Sequence, residues 1–525
     1  MKLSLAMIVR DEADMAPDFL ESVRGLFDEL IVVDTGSSDG TRGLFESAGA
    51  RVVPFSWVHD FSAARNVSLA HATGDFVLVL DADERASPQF IAECRRAIEQ
   101  PGVGALVVRI SNPLPYGHRR DSWVLRGWKN DPSIRFRHPI HEDPSEDVQQ
   151  VLEEQALRAV RLEAPIEHLG YVKSRAAAKD KKTRDLVLLR GCLERDPFDF
   201  YSRLKLLELG RYWQDETLWA AEARATTDSL ELAGRDAVRG RPWAGELIAL
   251  IAEGLFSPTD PAALVFLDGW EPWLLPSATF LHRRGVFHEH QGHLDDARDD
   301  FEDCFRTGEL TGDQQLSAVR PRLGLARLAL ERQQPNEALR HARLALDAGP
   351  RDPEALMAVT SLVRTLEGAP ALDAWEARHR EQVPSCPERD WAIGEAHFGA
   401  RDYKAAASRF RSAAGVPPGG PPALRLAQAL LACGRVEESE ALARQLVEAQ
   451  PEAGLGVLLF DLAAGRDTAL ELKMSEEAAH LALRGWADVL VASRQRTLIR
   501  KVRARSLAVA TLFPWLPAYL LKQTA

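Results

Sequence analysis

The hydrophobic pattern of the chain changes in character at about residue 175. Before this point, short apolar runs alternate with amphipathic segments. After this point the short apolar runs end. The remaining sequence has helical periodicity and is rich in Ala, Leu, Glu and Arg. Near-continuous apolar strands that alternate with helices predict a mostly parallel sheet covered on both faces. We therefore expect an α/β domain at the N-terminus, followed by an all-α region.

The first part of the chain contains five strand candidates. They are Leu3 to Val9, Glu29 to Val33, Ala50 to Phe55, Asp75 to Leu80 and Ala105 to Ile110. Helical patterns lie between them, among them Phe61 to Ala72 and Pro88 to Gln100. Open sheets of this type bind ligands at the carboxyl ends of their strands. The residues that follow each strand are therefore the first place to search for a functional site.

The helical part repeats itself with a period near 34 residues, as tetratricopeptide repeats do. Four copies share small or apolar residues at matching offsets. These are Gly285, Ala297 and Phe301; Leu325, Ala326, Ala338, Ala345 and Pro350; Gly394, Ala406, Phe410, Ala413 and Pro418; and Ala427, Gly434, Ala443 and Pro451. Small residues let paired helices pack closely, and proline ends the second helix. The pattern predicts a helical-repeat array.

The length of 525 residues is too great for one hydrophobic core. We expect an α/β domain over residues 1–175, a helical connector over 176–245, repeats over 246–480 and a terminal segment over 481–525. In that last segment, basic residues precede an apolar stretch that Pro514 and Pro517 interrupt. It has two interpretations: capping helices that dock on the repeats, or a segment that lies on a membrane surface.

Composition narrows the function classes. The formal net charge of −12 argues against a nucleic-acid-binding protein. Five widely spaced cysteines form no Cys-x-x-Cys motif, which argues against a cysteine zinc site and a disulfide framework. A reducing, cytosolic compartment is expected. We interpret the N-terminus as a strand, not a signal peptide, and find no apolar run of about 20 residues that would cross a membrane.

Acidic residues follow two of the strand candidates. Asp34 and Asp39 frame a loop of small residues in IVVDTGSSDGT, where a ligand can approach the backbone and carboxylates can accept hydrogen bonds from a base or ribose. A capped turn between strand and helix is the alternative. Asp81 and Asp83 follow the strand in GDFVLVLDADE, and carboxylates so placed can share a divalent cation that also holds a diphosphate.

Between these two loops lies the helical segment DFSAARN. Arg65 and Asn66 fall in its first turns, where a cation and an amide can reach a diphosphate. The alternative is a solvated helix face. Further on, Tyr116, Trp123 and Trp128 combine aromatic rings with basic neighbours, which suits either a sugar ring or a packed core.

Two other enzyme classes share fragments of these motifs. Aspartic proteases carry an Asp-Thr-Gly-Ser run like the one at Asp34, but a single-chain protease needs a second such triplet. The nearest match, at Asp347, lacks the hydroxyl and lies within a helical repeat. Phosphatases of the haloacid dehalogenase type open their domain with Asp-x-Asp, whereas several strand candidates precede Asp81. The pattern disfavours both classes.

The motifs MIVRDE, IVVDTGSSDGT, DFSAARN, LDADE, RFRHPIHED and IEHLGY occur in an order that resembles family 2 glycosyltransferases with a tetratricopeptide tail. The resemblance is close over residues 1 to about 210 and extends by type to the repeats. It implies a GT-A fold, which is a Rossmann-like nucleotide-diphospho-sugar transferase domain, and a divalent cation, Mn²⁺ or Mg²⁺.

The resemblance also implies roles for individual residues. Residues that bind the nucleotide-sugar would be Arg10, Glu12, Asp34, Thr35, Ser37, Asp39, Arg65, Asn66 and Asp81. The metal ligands would be Asp81, Asp83 and His168, although a lone histidine is also explained by ordinary hydrogen bonding. The catalytic base would be Glu142 or its neighbour Asp143. Two departures stand out: Arg10-Asp11-Glu12 replaces the common Lys-Asn-Glu, and Thr35 replaces a second aspartate.

The expected function is that of an inverting glycosyltransferase that moves a sugar from a nucleotide-diphosphate donor, expected to be a UDP-sugar. The acceptor would be a glycan, a lipid-linked molecule, or a peptide or protein. The alternative is an inactive scaffold protein that retains nucleotide-sugar binding. The repeats would contact a protein partner or form a homodimer. The expected setting is the bacterial cytoplasm, with or without peripheral contact at the inner face of the membrane, and no nucleic-acid partner.

Overall fold

The computed structural model describes residues 1–113, 119–169, 175–307, 312–313, 315–384, 386–415, 420–466 and 474–522. Contacts divide the chain into two compact units at Arg332. The first unit holds a β-sheet and thirteen of the described α-helices, and the second, from Gln333 onward, is helical throughout its described residues. The predicted fold class, an α/β domain followed by an all-α helical region, is confirmed.

The sheet of the first unit is mixed. Its strands are β1 (Leu3–Val9), β2 (Glu29–Asp34), β3 (Arg51–Pro54), β4 (Phe76–Val79), β5 (Glu84–Ala86), β6 (Val103–Pro113), β7 (Arg119–Lys129), β8 (Arg158–His168) and β9 (Gly312–Asp313). Their order is β3-β2-β1-β4-β7-β6-β8-β5, with β9 paired to β7. Strands β1 to β4 pair in parallel, whereas β7 is antiparallel to β4 and β6, and β5 is antiparallel to β8.

The five predicted strands are all present, but the expectation of a mostly parallel sheet holds only for β1 to β4 and for the pair β6 and β8. Strands β5, β7, β8 and β9 were not predicted. The two long ones, β7 and β8, carry charged residues between apolar ones, as in RDSWVLRGWK and RAVRLEAPIEH, because most of their described residues are only half-buried and β8 also has exposed ones. A search for continuous apolar runs misses strands of this kind.

Helices cover both faces of the sheet, as predicted. They are α1 (Ala16–Ser22), α2 (Thr41–Ser47), α3 (Phe61–His71), α4 (Pro88–Ile98) and α5 (Ser145–Glu154). On one face, side chains of β1 pack with Phe19 of α1 and Phe90 of α4. On the other face, Val77 and Val79 of β4 pack with Leu69 of α3. The carboxyl ends of β1, β2 and β4 therefore lie between the two layers of helices.

Eight further α-helices are described in the first unit. They are α6 (Arg175–Arg195), α7 (Phe200–Tyr212), α8 (Glu216–Ala233), α9 (Ala244–Leu255), α10 (Pro261–Trp270), α11 (Ala278–His290), α12 (Leu294–Asp303) and α13 (Arg320–Glu331). Aspartates begin several of them: Asp199 accepts a hydrogen bond from Ser202 N and Asp215 from Leu218 N, each at 3.0 Å. Such caps satisfy backbone donors that a helix start leaves unpaired.

The second unit contains eleven described α-helices. They are α14 (Pro335–Ala348), α15 (Pro353–Leu366), α16 (Ala369–Gln382), α17 (Pro387–Gly399), α18 (Tyr403–Ala413), α19 (Gly420–Ala432), α20 (Val436–Leu446), α21 (Pro451–Ala464), α22 (Glu476–Ala492), α23 (Arg496–Arg505) and α24 (Trp515–Lys522). Phe513, Leu516 and Leu520 are fully buried in its core. This packing favours the capping interpretation of the terminal segment. Within the described ranges, no helix has both the length and the apolar character needed to cross a membrane.

The repeat pattern has a direct physical basis. A Cβ atom added at Gly285 would lie 2.8 Å from the Phe301 ring, and one added at Gly394 would lie 2.6 Å from the Phe410 ring. In each pair the glycine belongs to the first helix and the phenylalanine to the second, at the same sequence separation. The glycine therefore makes room for the ring that joins the two helices. Pro418, predicted to end one copy, lies outside the described residues.

We expect Gly394→Ala to lower the free energy of unfolding of the second unit by about 1–3 kcal/mol, because the new methyl group overpacks against Phe410. Gly399 is the matched control: it belongs to the same helix, and an added Cβ there meets no atom within 4 Å. Gly399→Ala should be neutral or stabilising by up to about 1 kcal/mol. Urea unfolding followed by circular dichroism measures both. Equal effects of the two substitutions would contradict this explanation of the repeat.

Candidate active site

A buried arginine lies at the centre of the candidate site. Arg65, on α3, is 6% exposed. Its Nε donates a hydrogen bond to Glu142 Oε1 at 2.7 Å, and its Nη2 donates to Asp81 Oδ1 at 2.8 Å. The remaining nitrogen, Nη1, is buried and has no hydrogen-bond partner among the described residues. Arg65 thus connects the acidic loop after β4 with the loop that contains Glu142.

A second arginine contacts the same acidic loop. Arg126 Nη1, from β7, lies 3.7 Å from Asp81 Oδ2, and its Nη2 donates to Glu84 Oε1 at 2.7 Å. Burial would raise the pKa of Asp81, but Arg65 and Arg126 outweigh burial and lower that pKa to about 2. Burial raises the pKa of Glu84, although Arg126 opposes the shift. Asp81 is therefore held as a carboxylate.

The pairing of β5 with β8 brings a histidine to the Asp-x-Asp motif. The register places Glu84 opposite His168. His168 Nε2 lies 3.3 Å from Asp83 Oδ2, and its Nδ1 lies 2.7 Å from Asn112 Oδ1. Both ring nitrogens therefore face acceptor oxygens. Burial would lower the pKa of His168, but the hydrogen bond to Asp83 and the charge of Asp83 outweigh burial and raise that pKa. The structure therefore brings His168 to Asp83, whereas the ligand atoms of Asp81, Asp83 and His168 do not all lie within 4.8 Å of one another.

The two candidate bases have different surroundings. Glu142 accepts from Arg65, and its side chain is 15% exposed. Asp143 Oδ1 accepts hydrogen bonds from Ser145 N at 3.0 Å and Ser145 Oγ at 2.6 Å, where α5 begins. The Asp143 backbone also pairs with that of Arg137. One oxygen of Asp143 is therefore occupied in holding the start of a helix.

The loop that carries Glu142 is strained and supported from α7. His138 and His141 have φ values of 69° and 55°, a region that residues other than glycine seldom occupy. Tyr201 stacks on the His138 ring with centroids 4.0 Å apart, and its hydroxyl donates to His141 O at 3.0 Å. Ile140 packs with Leu206. Helix α7, which follows the sheet in sequence, therefore holds the loop in its conformation.

The loop after β2 is shaped by its own hydrogen bonds. Asp34 Oδ1 accepts from Gly36 N at 3.2 Å and Ser37 N at 2.8 Å, and Gly36 has a φ of 105° that favours glycine. The Thr35 hydroxyl donates to Val9 O at 3.0 Å. The hydroxyl of Thr35 therefore ties β2 to β1, and its carboxylate neighbour Asp34 orders the turn.

The loop after β1 lies beside this turn. Asp39 Oδ1 accepts from Thr41 N at 2.9 Å, and Thr41 Oγ1 accepts from Glu12 N at 2.8 Å. Hydrogen bonds from Thr41 lower the pKa of Asp39. Arg10 is exposed and lies 3.9 Å from Asp11. The predicted nucleotide-binding residues of the two loops thus come together at the carboxyl edge of β1 and β2.

Asn66 occupies a different position from the other predicted residues. Its Nδ2 donates to Phe136 O at 3.0 Å, and its Oδ1 accepts from Phe136 N at 2.9 Å. Both ends of the amide therefore bind the backbone of the segment that leads to Glu142. In this structure Asn66 positions that segment.

A cavity of about 310 Å³ lies beside these groups. Its lining includes Arg65, Asp81, Trp123, Arg126, Phe136 and Glu142. Trp128 also borders it but is 2% exposed and packs edge-on against Phe136, with ring centroids 5.7 Å apart. Trp123 is also buried, at 6% exposed, and the Arg161 guanidinium lies 4.7 Å from its ring centroid, so both tryptophans are mainly packed residues at the cavity wall. Tyr116, the third predicted aromatic, lies outside the described residues.

Sequence analysis missed four residues that build this site. Arg126 and Asn112 lie on strands β7 and β6, in a segment for which no strand pairing was predicted. Glu84 directly follows the Asp-x-Asp motif, so its position was a usable signal. Tyr201 lies about 60 residues beyond the loop that it supports, and no local pattern marks it.

Comparison with known proteins agrees with this geometry. Residues 4–144 match the family described as Glycosyl transferase family 2, and residues 397–455 match the family described as Tetratricopeptide repeat. A TPR repeat-containing protein of Synechococcus elongatus is 38% identical over 216 residues, which are 39% of this chain and 51% of that protein. The SPbeta prophage-derived glycosyltransferase SunS of Bacillus subtilis is 26% identical over 220 residues, which are 39% of this chain and 50% of that protein. The chain thus spans about half the length of these curated relatives.

Two solved structures show a weak likeness. Mannosyl-3-phosphoglycerate synthase from Rubrobacter xylanophilus is 18% identical, with a TM-score of 0.29 over 38% of this chain and 75% of that one. Glucosyl-3-phosphoglycerate synthase from Mycobacterium tuberculosis, in complex with Mn²⁺, uridine-diphosphate and glucosyl-3-phosphoglycerate, is 19% identical, with a TM-score of 0.27 over 37% of this chain and 79% of that one. The family matches identify residues 4–144 as a family 2 glycosyltransferase domain and residues 397–455 as a tetratricopeptide repeat.

Proposed function

We propose that the chain is an inverting, metal-dependent glycosyltransferase that uses a nucleotide-diphosphate sugar, a UDP-sugar, as donor. One observation carries this proposal: buried Arg65 bonds both Asp81, on the donor side, and Glu142, on the acceptor side, next to a cavity of about 310 Å³. A single guanidinium thus fixes the groups for both halves of a transfer reaction.

Arg65 is suited to a diphosphate. A buried hydrogen-bond donor without a partner costs about 1–3 kcal/mol, and Arg65 Nη1 is such a donor among the described residues. A phosphate oxygen in the cavity would satisfy it. Negative charge develops on the diphosphate as the sugar leaves, and a fixed guanidinium stabilises that charge more in the transition state than in the bound donor.

The acidic loop and His168 fit a divalent cation. Asp83 Oδ2 and His168 Nε2 are 3.3 Å apart, close to the separation of about 3 Å expected for two ligands of one ion. Two carboxylates and one imidazole suit Mn²⁺ or Mg²⁺ when a diphosphate supplies further oxygens. When bound, the ion would neutralise charge on the diphosphate.

The surroundings favour Glu142 over Asp143 as the base. The bond from Arg65 uses Oε1 of Glu142, so Oε2 is the oxygen available at the cavity. In the proposed reaction an acceptor oxygen forms a bond to the anomeric carbon, the bond from that carbon to the diphosphate breaks, and Glu142 takes the acceptor proton. Displacement from the face opposite the diphosphate inverts the anomeric configuration.

The nucleoside would lie against the loops after β1 and β2. Asp34, Ser37 and Asp39 order these loops through backbone hydrogen bonds, and exposed Arg10 borders them. We assign nucleotide binding to this edge, with Thr35 and Glu12 contributing mainly through the backbone. The side chain of Asn66 is assigned to positioning the Phe136 segment.

The helical repeats are proposed to bind the acceptor or a protein partner, which includes a second copy of the chain, because such arrays offer extended surfaces. Glycan, lipid-linked and peptide acceptors all remain within this proposal, as does a cytoplasmic location with peripheral contact at the membrane.

A panel of nucleotide diphosphates and their sugars, with and without Mn²⁺, tests the donor. Melting temperature and donor hydrolysis are the measurements, and an inactive scaffold would bind a nucleotide without hydrolysing any donor.

Asp83→Ala should weaken Mn²⁺-dependent donor binding by at least about 10-fold, because it removes a carboxylate ligand. Isothermal titration calorimetry with and without Mn²⁺ measures the change. Asp18→Ala, at an exposed position on α1, is the control and should bind donor normally. Turnover of Asp83→Ala at the wild-type rate with Mn²⁺ or Mg²⁺ would contradict the metal assignment.

Glu142→Gln should reduce turnover by about 10²–10⁴-fold with little change in donor affinity. The amide oxygen can still accept from Arg65, so the substitution removes basicity and keeps the shape. Asp143→Asn should cost less, because its main contacts are with Ser145. If Asp143→Asn abolishes turnover and Glu142→Gln does not, the base is Asp143.

Tyr201 is proposed as a positioning residue that acts through His141. Tyr201→Phe keeps the ring on His138 but removes the hydrogen bond to His141 O, a loss of about 0.5–1.5 kcal/mol. We expect turnover to fall by up to about 10-fold, with donor affinity unchanged. Tyr212→Phe, on the same helix, is the matched control. A matching fall in donor affinity would indicate a general loss of structure.

A further inference from the structure

Two histidines and an aspartate meet at the turn between α11 and α12. His288 belongs to the last turn of α11, His293 immediately precedes α12, and Asp296 belongs to the first turn of α12. One ligand atom of each residue lies within 4.8 Å of the other two. In the described part of the chain, this is the one group of three or more His, Cys, Asp or Glu residues whose ligand atoms lie this close together.

The distance between the two imidazoles is informative. His288 Nδ1 and His293 Nδ1 are 3.4 Å apart. Two nitrogens bound to one ion at about 2.0–2.1 Å, with a tetrahedral angle between them, are separated by about 3.4 Å. The alternative is a hydrogen bond between the two ring nitrogens. However, 3.4 Å is long for a hydrogen bond, and such a bond would not involve Asp296.

The outer side of His288 faces a buried carboxylate. Its Nε2 faces Asp300 Oδ2 at 3.9 Å. Asp300 is 6% exposed and is fixed by Arg284, whose Nη2 donates to Asp300 Oδ1 at 2.7 Å. The two atoms are too far apart for a hydrogen bond, so Asp300 acts on the ring only through its charge.

We propose that His288, His293 and Asp296 bind a transition-metal ion of the Zn²⁺ type, which ties α11 to α12. Imidazole nitrogens select Zn²⁺ and its neighbours over Mg²⁺, so this site and the oxygen-rich active site prefer different ions. Three protein ligands leave a fourth tetrahedral position for water. Because the ligands come from two helices, the bound ion stabilises this helix pair of the first unit.

The test uses the full chain and Zn²⁺ itself. Asp83→Ala removes a ligand of the active-site cation, and in this background Zn²⁺ should still bind with about one equivalent and raise the melting temperature of the first unit. Adding His293→Ala, at an exposed position, should weaken Zn²⁺ binding by at least about 10-fold and remove the rise in melting temperature. Asp296→Asn is a second, independent removal of a ligand.

His290 offers a matched control within the same turn. Its Nδ1 lies 2.9 Å from Val286 O, and it is not part of the cluster. His290→Ala should bind Zn²⁺ as the background does. Co²⁺ supplies a second readout, since a tetrahedral site gives strong visible absorption that His293→Ala should abolish.

Three results would overturn the proposal. One is equal Zn²⁺ affinity in the His293→Ala and His290→Ala variants. Another is loss of all Zn²⁺ binding in Asp83→Ala alone. The third is a dissociation constant in the background weaker than about 1 mM, which marks adventitious surface binding.

Discussion

The candidate site depends on one buried guanidinium with two carboxylate partners. Removing either partner from a buried ion pair is strongly destabilising, because the remaining charge stays without compensation. Arg65 therefore makes the acidic loop after β4 and the Glu142 loop mutually dependent: neither can move without exposing or isolating a charge. Arg126 extends the network to Glu84, so two arginines, on α3 and β7, hold the acidic loop from two sides. A ligand with two phosphates would meet a preformed site.

The elements that sequence analysis predicted are those with local signals. Strands β1, β2 and β4 are buried runs, and the acidic residues that follow Val33 and Leu80 mark their carboxyl ends. Parallel pairing then brings these ends to one edge without further information. The remaining parts of the site arise from long-range pairing: His168 reaches Asp83 only because β8 pairs with β5, and Arg126 reaches Asp81 only because β7 pairs with β4. No single segment encodes such contacts.

The helices that follow the sheet have a structural role in the site. The first unit extends to Arg332, and Tyr201 and Leu206 of α7 support a loop that contains two residues with positive φ. Such a conformation persists only where its surroundings hold it. The expected connector over residues 176–245 thus contains groups that act on the Glu142 loop. The Gly285–Phe301 pair in the first unit and the Gly394–Phe410 pair in the second show the same packing. This shared packing explains why glycine and phenylalanine recur at a fixed spacing in the sequence.

The support from α7 has a consequence for the nascent chain. The ribosome adds about 5–20 residues per second, and domains fold largely in the order of synthesis. Residues of β1 to β4 emerge first and can form their parallel sheet early, with Asp81 and Arg65 in place. The Glu142 loop must wait for Tyr201 and Leu206, and the edge of β7 must wait for the short strand β9 at Gly312–Asp313. The candidate active site is therefore expected to become complete late in translation, after the carboxyl edge of β1 to β4 has already folded.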